Sequence, residues 1–275
     1  MTIAVAIRTS SSLVFAADSK LTTQGVVGFE EDGTPRWQTQ TYDHAVKVIH
    51  DRNERLMCMI AGHANIGTAS VTDFLSSYSF PSCASIEDQD RAVGEIAALM
   101  NSAKREYWET TQVEPAKWPG PTVLLASPSP DGRMPRAWRL QFGGPEYTSE
   151  EILKEPNIRL EGSYAEVFSL LYGFHWDIVN GLDRALELPD GRMGEAMRGL
   201  NVLRPLEKLN LLAMPVQDAI DLGVFLATVQ VQMDRFLPGE PACGGPIDVM
   251  VLQMAPARKI TSFPGKTLHH PGYNG

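Results

Sequence analysis

Cysteine is scarce in this 275-residue chain: Cys58, Cys83 and Cys243 are odd in number and far apart. That usage disfavours a disulfide framework or a zinc site and points to a reducing, cytoplasmic setting. Basic runs are missing as well. With 24 Lys and Arg against 33 Asp and Glu, the net charge is −9, and no cationic stripe is present to follow a phosphate backbone. A nucleic-acid partner is therefore not expected. No stretch reaches the ~18 consecutive apolar residues that a membrane span requires. The first residues lack the charged region and apolar run of a signal peptide, so no membrane partner is expected either. There is no internal repeat and no linker long enough to separate two domains. What is present is ample core material, 43% hydrophobic against 21% charged residues, which suits one domain over 1–275 with a polar tail over 264–275.

Periodicity divides the chain into runs of strands and runs of helices. Residues Thr2–Arg8 alternate around Ile3, Val5 and Ile7, and Leu13–Asp18 follows a Ser-rich turn, which predicts an antiparallel hairpin. Residues 24–43, with Gly25, Gly28, Gly33 and Pro35, read as a long polar loop. Strands are expected at Val46–His50 and Leu56–Ala61, then a helix from about Asn65 to Tyr78. The spacing of Val93, Ile96, Ala97 and Met100 predicts an amphipathic helix over Ile86–Thr110, with Ser85 as its N-cap. Strands at Thr122–Ala126, Ala137–Phe142 and Ile158–Leu160 precede a helical stretch from Ser163 to Phe236 that Pro189, Pro205 and Pro215 interrupt. Strands at Ile247–Met254 and Lys259–Phe263 close the chain. Segregated runs of this kind predict an α+β domain with helices on the outer faces of antiparallel sheets.

Thr2 follows Met1 directly. Removal of that methionine would leave a threonine with a hydroxyl nucleophile and a free α-amine of reference pKa roughly 7.7–8.0, able to act as its own base. By itself an ordinary second residue explains Thr2 as well. Asp18 reads either as a turn aspartate or, after the apolar Leu13–Ala17, as a buried carboxylate in need of a cation. Lys47, set among Val46, Val48 and Ile49, is an uncomfortable place for a solvated lysine.

Four segments resemble the β-type proteasome family and its bacterial homologues among the N-terminal-nucleophile hydrolases. They are Thr2-Ile3-Ala4-Val5-Ala6-Ile7 with Val14-Phe15-Ala16-Ala17-Asp18-Ser19, then Lys47-Val48-Ile49, Ile60-Ala61-Gly62-His63-Ala64, and Cys243-Gly244-Gly245 before an apolar strand. Asp18 stands sixteen positions after Thr2, the family's separation of nucleophile and acid. The resemblance runs from residue 2 to about 254 and is strongest in the first 80. It implies a four-layer αββα sandwich with insertions at about 24–43 and 174–212, and a threonine exposed by loss of Met1 rather than of a propeptide.

The resemblance also implies roles. Thr2 is the nucleophile, Lys47 the cation beside it, Asp18 the partner of Lys47, and Gly62 the backbone donor to the oxyanion. Ser163 would hold the nucleophile's amine; independently, Ser163 and Glu166 read as a helix capping box, and both roles are compatible. Ala45, Ile60 and Ala64 would line a small, uncharged specificity pocket. The family's remaining acid and serine fall on Glu240 and Cys243, with Asp234 as an alternative acid. A lone pair such as His269-His270 in a polar tail rarely binds a metal, His44 and His63 lack ligand spacing, and no metal or cofactor is expected. The implied activity is a threonine endopeptidase acting on peptides or unfolded proteins inside a ring-shaped homo-oligomer, a double ring or a related form. An ATP-dependent unfoldase partner is left open. The rivals are an inactive proteasome-like scaffold and a small-molecule amidohydrolase of the same nucleophile class.

Overall fold

A computed structural model of the chain describes residues 2–29, 35–66, 69–110, 114, 117–118, 120–189, 191–199, 209–254 and 258–263. Met1, Pro205 and the tail with His269-His270 lie outside these. The chain begins with a hairpin, β1 (Ile3–Arg8) and β2 (Ser12–Asp18), whose residues are buried throughout. Continuous apolar character is what a strand with both faces covered demands. Beside them lie β12 (Ile158–Gly162), β13 (Ile247–Gln253) and β14 (Lys259–Phe263), in the order β12-β1-β2-β13-β14. A second sheet has the order β11-β10-β9-β6-β5, from β5 (Val48–His50), β6 (Met57–Gly62), β9 (Pro121–Pro128), β10 (Pro135–Gln141) and β11 (Thr148–Ile152). All strand pairs in both sheets are antiparallel.

The period-2 alternation of side chains sorts each strand between two cores. Ala4, Ala6, Leu13, Phe15 and Ala17 share one cluster with Met57, Met59, Leu124 and Met250, residues drawn from both sheets. The opposite face of the same hairpin, Ile3, Val5, Ile7, Val14 and Ala16, packs with Ala219, Leu226, Ala227 and Val231 of α6 (Val216–Asp234). Helix α2 (Ile86–Trp108) buries Val93, Ile96, Ala97 and Met100 against Ile60, Val123, Leu125 and Trp138 of the second sheet. Its N-cap is Ser85, whose Oγ accepts the Asp88 N–H at 3.1 Å, as the sequence predicts.

Several local expectations need correction. The segment 24–43 is not a loop over its described residues: β3 (Leu21–Phe29) and β4 (Pro35–Tyr42) form an antiparallel ribbon with a bulge between Val26 and Gly28. Thr22, Thr23, Thr39, Thr41 and Tyr42 have the β preference that the glycines masked. The helix expected from Asn65 is confined to α1 (Val71–Ser77), after two short strands, β7 (Asn65–Ile66) and β8 (Ala69–Ser70). Ser70 caps it, accepting the Asp73 N–H at 2.9 Å. Strand β11 went unread because Thr-Ser-Glu-Glu-Ile on a sheet edge has little apolar signal. The stretch from Ser163 resolves into α3 (Ala165–Tyr172), α4 (Trp176–Ala185), α5 (Arg192–Gly199) and α6. Tyr164, not Ser163, is the N-cap of α3, with no side-chain cap bond. The first-turn amides of Glu166 and Val167 donate instead to Gln230 Oε1 at 3.2 and 3.4 Å, so the capping box does not form.

Candidate active site

The β1–β2 register opposes Ala4 to Ala17, which brings the start of one strand beside the end of the other. Asp18 is thereby brought against the backbone just after Thr2: the Ile3 N–H donates to Asp18 Oδ1 at 3.1 Å. Lys47 stands just before β5, its carbonyl accepting the Ile60 N–H at 2.9 Å. From there its Nζ donates to Asp18 Oδ1 at 2.8 Å, with the two side chains 9% and 0% exposed. The other carboxylate oxygen accepts the Gly244 N–H at 2.9 Å and the Lys20 N–H at 3.3 Å. Burial pushes the Asp18 carboxyl above its ordinary value, against the downward pull of the Lys47 ammonium and of these N–H donors.

Thr2 is itself buried, and its backbone is held from the other side. The Ser163 N–H donates to the Thr2 carbonyl at 2.7 Å. Gly162 lies against the same carbonyl with φ +82°, and a Cβ there would come within 1.9 Å of the Thr2 oxygen. Only glycine satisfies both conditions. The side chains of Thr2 and Lys47 face a cavity of about 230 Å³ that Gly62, Ala45, Ile60 and Ala64 also line. Lys20, Leu21, Thr22, Val46, Asn65, Ser70 and Thr72 complete its wall. Sequence reasoning did not single out Lys20, Thr22, Ser70 or Thr72, since ordinary polar residues on loops and strand ends leave no spacing signal. Gly62 has φ +80° at the end of β6, where an added Cβ would meet nothing nearer than 3.8 Å.

The residues near the C-terminal strands divide differently. Cys243 is buried, and its N–H donates to Asp234 Oδ2 at 2.9 Å. Burial, with the carboxylates of Asp18 and Asp234 close by, pushes its thiol far above the usual range. Asp234 is buried at the end of α6, whereas Glu240 is exposed. Ser163 also lines a second cavity, of about 450 Å³, with Tyr164, Phe168 and His175. Among the described residues no group of three His, Cys, Asp or Glu is placed to hold a metal ion.

Paired antiparallel sheets, with a buried ammonium–carboxylate pair beside the leading residue of the first strand, make up a fold of the proteasome-like type. Among the solved structures it resembles are two of Anbu, a bacterial proteasome-like protein. The Anbu (Gly-1) mutant from Hyphomicrobium sp. strain MC1 is similar over 96% of this chain and 87% of its own, with a TM-score of 0.50 and 16% identity. Anbu from the same organism in another crystal form covers 96% and 88%, with a TM-score of 0.44 and 16% identity. At this identity the likeness speaks for the fold alone. No family model matches the chain, and no curated protein matches it. No described helix is long and apolar enough to cross a membrane.

Proposed function

We propose that the chain is a threonine peptidase, cleaving peptide bonds in peptides or unfolded proteins through Thr2 once Met1 is removed. The observation that carries this reading is Lys47, which lines the same cavity as Thr2 and is held from behind by the buried Asp18 carboxylate at 2.8 Å. An ammonium held there favours the neutral α-amine of Thr2 over its protonated form and eases ionisation of the hydroxyl. The Thr2 Oγ attacks the amide carbonyl while its proton passes to the α-amine, directly or through a water. Positioned base catalysis of this kind contributes ~10²–10⁴-fold. Gly62 donates its N–H to the oxyanion, a contribution of ~2.7–4 kcal/mol in comparable sites. Collapse breaks the C–N bond, the leaving amine takes the proton, and water then hydrolyses the Thr2 ester. Ser163 steadies the Thr2 end, and Ala45, Ile60 and Ala64 accept a small uncharged side chain.

In this reading the single domain is a four-layer αββα sandwich, with α1 and α2 outside one sheet and α3 and α6 outside the other. Copies of it assemble as a ring that encloses the sites, in the cytoplasm, where its free thiols stay reduced. The test is a panel of fluorogenic peptides against purified protein whose intact mass is one methionine short. Hydrolysis abolished in Thr2→Ala and retained in Thr2→Ser is expected. Equal turnover in Thr2→Ala excludes threonine catalysis, and absence of turnover in the native protein on every peptide favours the scaffold reading.

A further inference from the structure

Gln230 and Asp234 lie one helical turn apart on α6, both buried, and together they reach both sides of the candidate site. Gln230 Oε1 accepts the Glu166 and Val167 N–H groups at the start of α3, just after Ser163, whose own N–H binds the Thr2 carbonyl. Gln230 Nε2 donates to Asp234 Oδ1 at 2.8 Å. Asp234 Oδ2 accepts the Cys243 N–H, and the next N–H along, that of Gly244, donates to Asp18 Oδ2 at 2.9 Å. Ser19 ties the same turn from the front: its N–H donates to the Gly244 carbonyl at 3.1 Å, and its Oγ donates to the Pro246 carbonyl. A path of hydrogen bonds joined by short stretches of backbone, Ser163 to Glu166 and Cys243 to Gly244, thus runs from the Thr2 carbonyl through Gln230 and Asp234 to the carboxylate that holds Lys47.

We propose that Gln230 and Asp234 form a positioning clasp, setting the Ser163 segment and the Cys243-Gly244 turn at a fixed separation so that Thr2 and Asp18 stay in register. Neither residue touches substrate; each acts through the backbone it holds. This assigns Asp234 a role other than that of an acid at the nucleophile, and it gives Gln230 a function that no spacing pattern foretold. The proposal rests on the peptidase reading for its rate predictions but not for its structural readout.

The amide–carboxylate polarity makes the clasp testable by inversion. In Asp234→Asn, the new amide nitrogen faces a donor in either orientation, the Gln230 amide nitrogen or the Cys243 N–H, so one of the two bonds is lost, and flipping Gln230 to repair the first strips α3 of its acceptor. In Gln230→Glu, two carboxylates meet at hydrogen-bond distance and can coexist only by sharing a proton, so the contact fails as pH rises. The double variant Gln230→Glu/Asp234→Asn restores every bond with the donor moved to the other residue. Peptide hydrolysis is measured across pH for the native protein and the three variants, with Thr2→Ala as blank, alongside carboxyl-carbon NMR titration of Asp18. Each single variant is expected to lose kcat roughly 10–100-fold with KM little changed, the range that a misplacement of about an ångström produces. Gln230→Glu loses turnover at a lower alkaline pH than the native protein does, and the double variant recovers towards native on both counts. The Asp18 titration shifts in the single variants and returns in the double. An unchanged Asp18 titration in the singles, or a double variant no better than the worse single, overturns the clasp. Absence of Thr2-dependent turnover in the native protein overturns the peptidase reading instead, and leaves the NMR titration to decide the clasp.

Discussion

At Asp18 two carboxylate oxygens receive Lys47 Nζ and the N–H groups of Ile3, Lys20 and Gly244. A buried carboxylate with a single cation gains less from the pairing than it loses in hydration, and the backbone donors offset only part of the difference. Lys47→Met removes the charge and strands the carboxylate; we expect a loss of about 3–5 kcal/mol of stability by chemical denaturation, as for other broken buried pairs, together with loss of turnover. Because burial raises the Asp18 carboxyl above its ordinary value, the folded protein takes up this proton more readily than the unfolded chain. Asp18's own contribution to stability therefore declines as pH rises through the interval above 3.8. On acidification the ionised partner of Lys47 is lost earlier than a surface aspartate would be. The pH–rate profile should accordingly show an acid limb with its midpoint above 3.8, and a limb below that value would contradict the assignment. The sixteen-residue spacing of Thr2 and Asp18 was legible because a single hairpin connects them. Which acid attends Cys243 was not: Glu240 stands three positions away but is exposed, whereas Asp234, nine away, is buried and bonded to its N–H.

Among the elements, two left-handed glycines behave oppositely, and the difference lies in what surrounds them. Gly162 ends β12 against the Thr2 carbonyl, and Gly62 ends β6 where an added Cβ would reach only ordinary contact distance, 3.8 Å from the Gly120 carbonyl oxygen. A side chain at φ near +80° costs about 1–2 kcal/mol at either position. Gly162→Ala adds a clash with backbone that cannot yield without moving Thr2. We expect Gly162→Ala to lower the melting temperature well beyond the drop in Gly62→Ala and to abolish hydrolysis; equal melting shifts in the two variants would show that the Thr2 contact is not tight. Strong periodic segments were readable: α2 with its Ser85 cap, the β1–β2 hairpin and α6 after Pro215 all stand within a few residues of expectation. The β3–β4 ribbon and β11 were missed because polar strands on the outside of a fold carry no alternation for burial to enforce.

For the whole molecule, large apolar side chains stand exposed on α3, α4 and α6. Leu170 on α3, Ile178 on α4 and Phe225 on α6 are 53%, 58% and 52% exposed, and Phe236 just past α6 is 79% exposed. Where such side chains adjoin in one patch they mark an association surface, as the proposed ring would need. Native mass spectrometry should show a homo-oligomer, and Leu170→Glu with Phe225→Glu should shift it to smaller species without unfolding the subunit by circular dichroism. A native protein that is monomeric throughout would remove the ring from the proposal.

Strand alternation, the spacing of Thr2 and Asp18 and the start of α2 were determined by the sequence alone, since each depends on neighbours a few turns or one hairpin away. The placement of Lys47 on Asp18, the closeness of Gly162 to Thr2, and the path through Gln230 and Asp234 were decided only by the tertiary structure. The Gly244–Asp18 bond joins residues 226 positions apart. Such contacts are set by how two sheets and their helices pack, and packing leaves no period in the chain to be read.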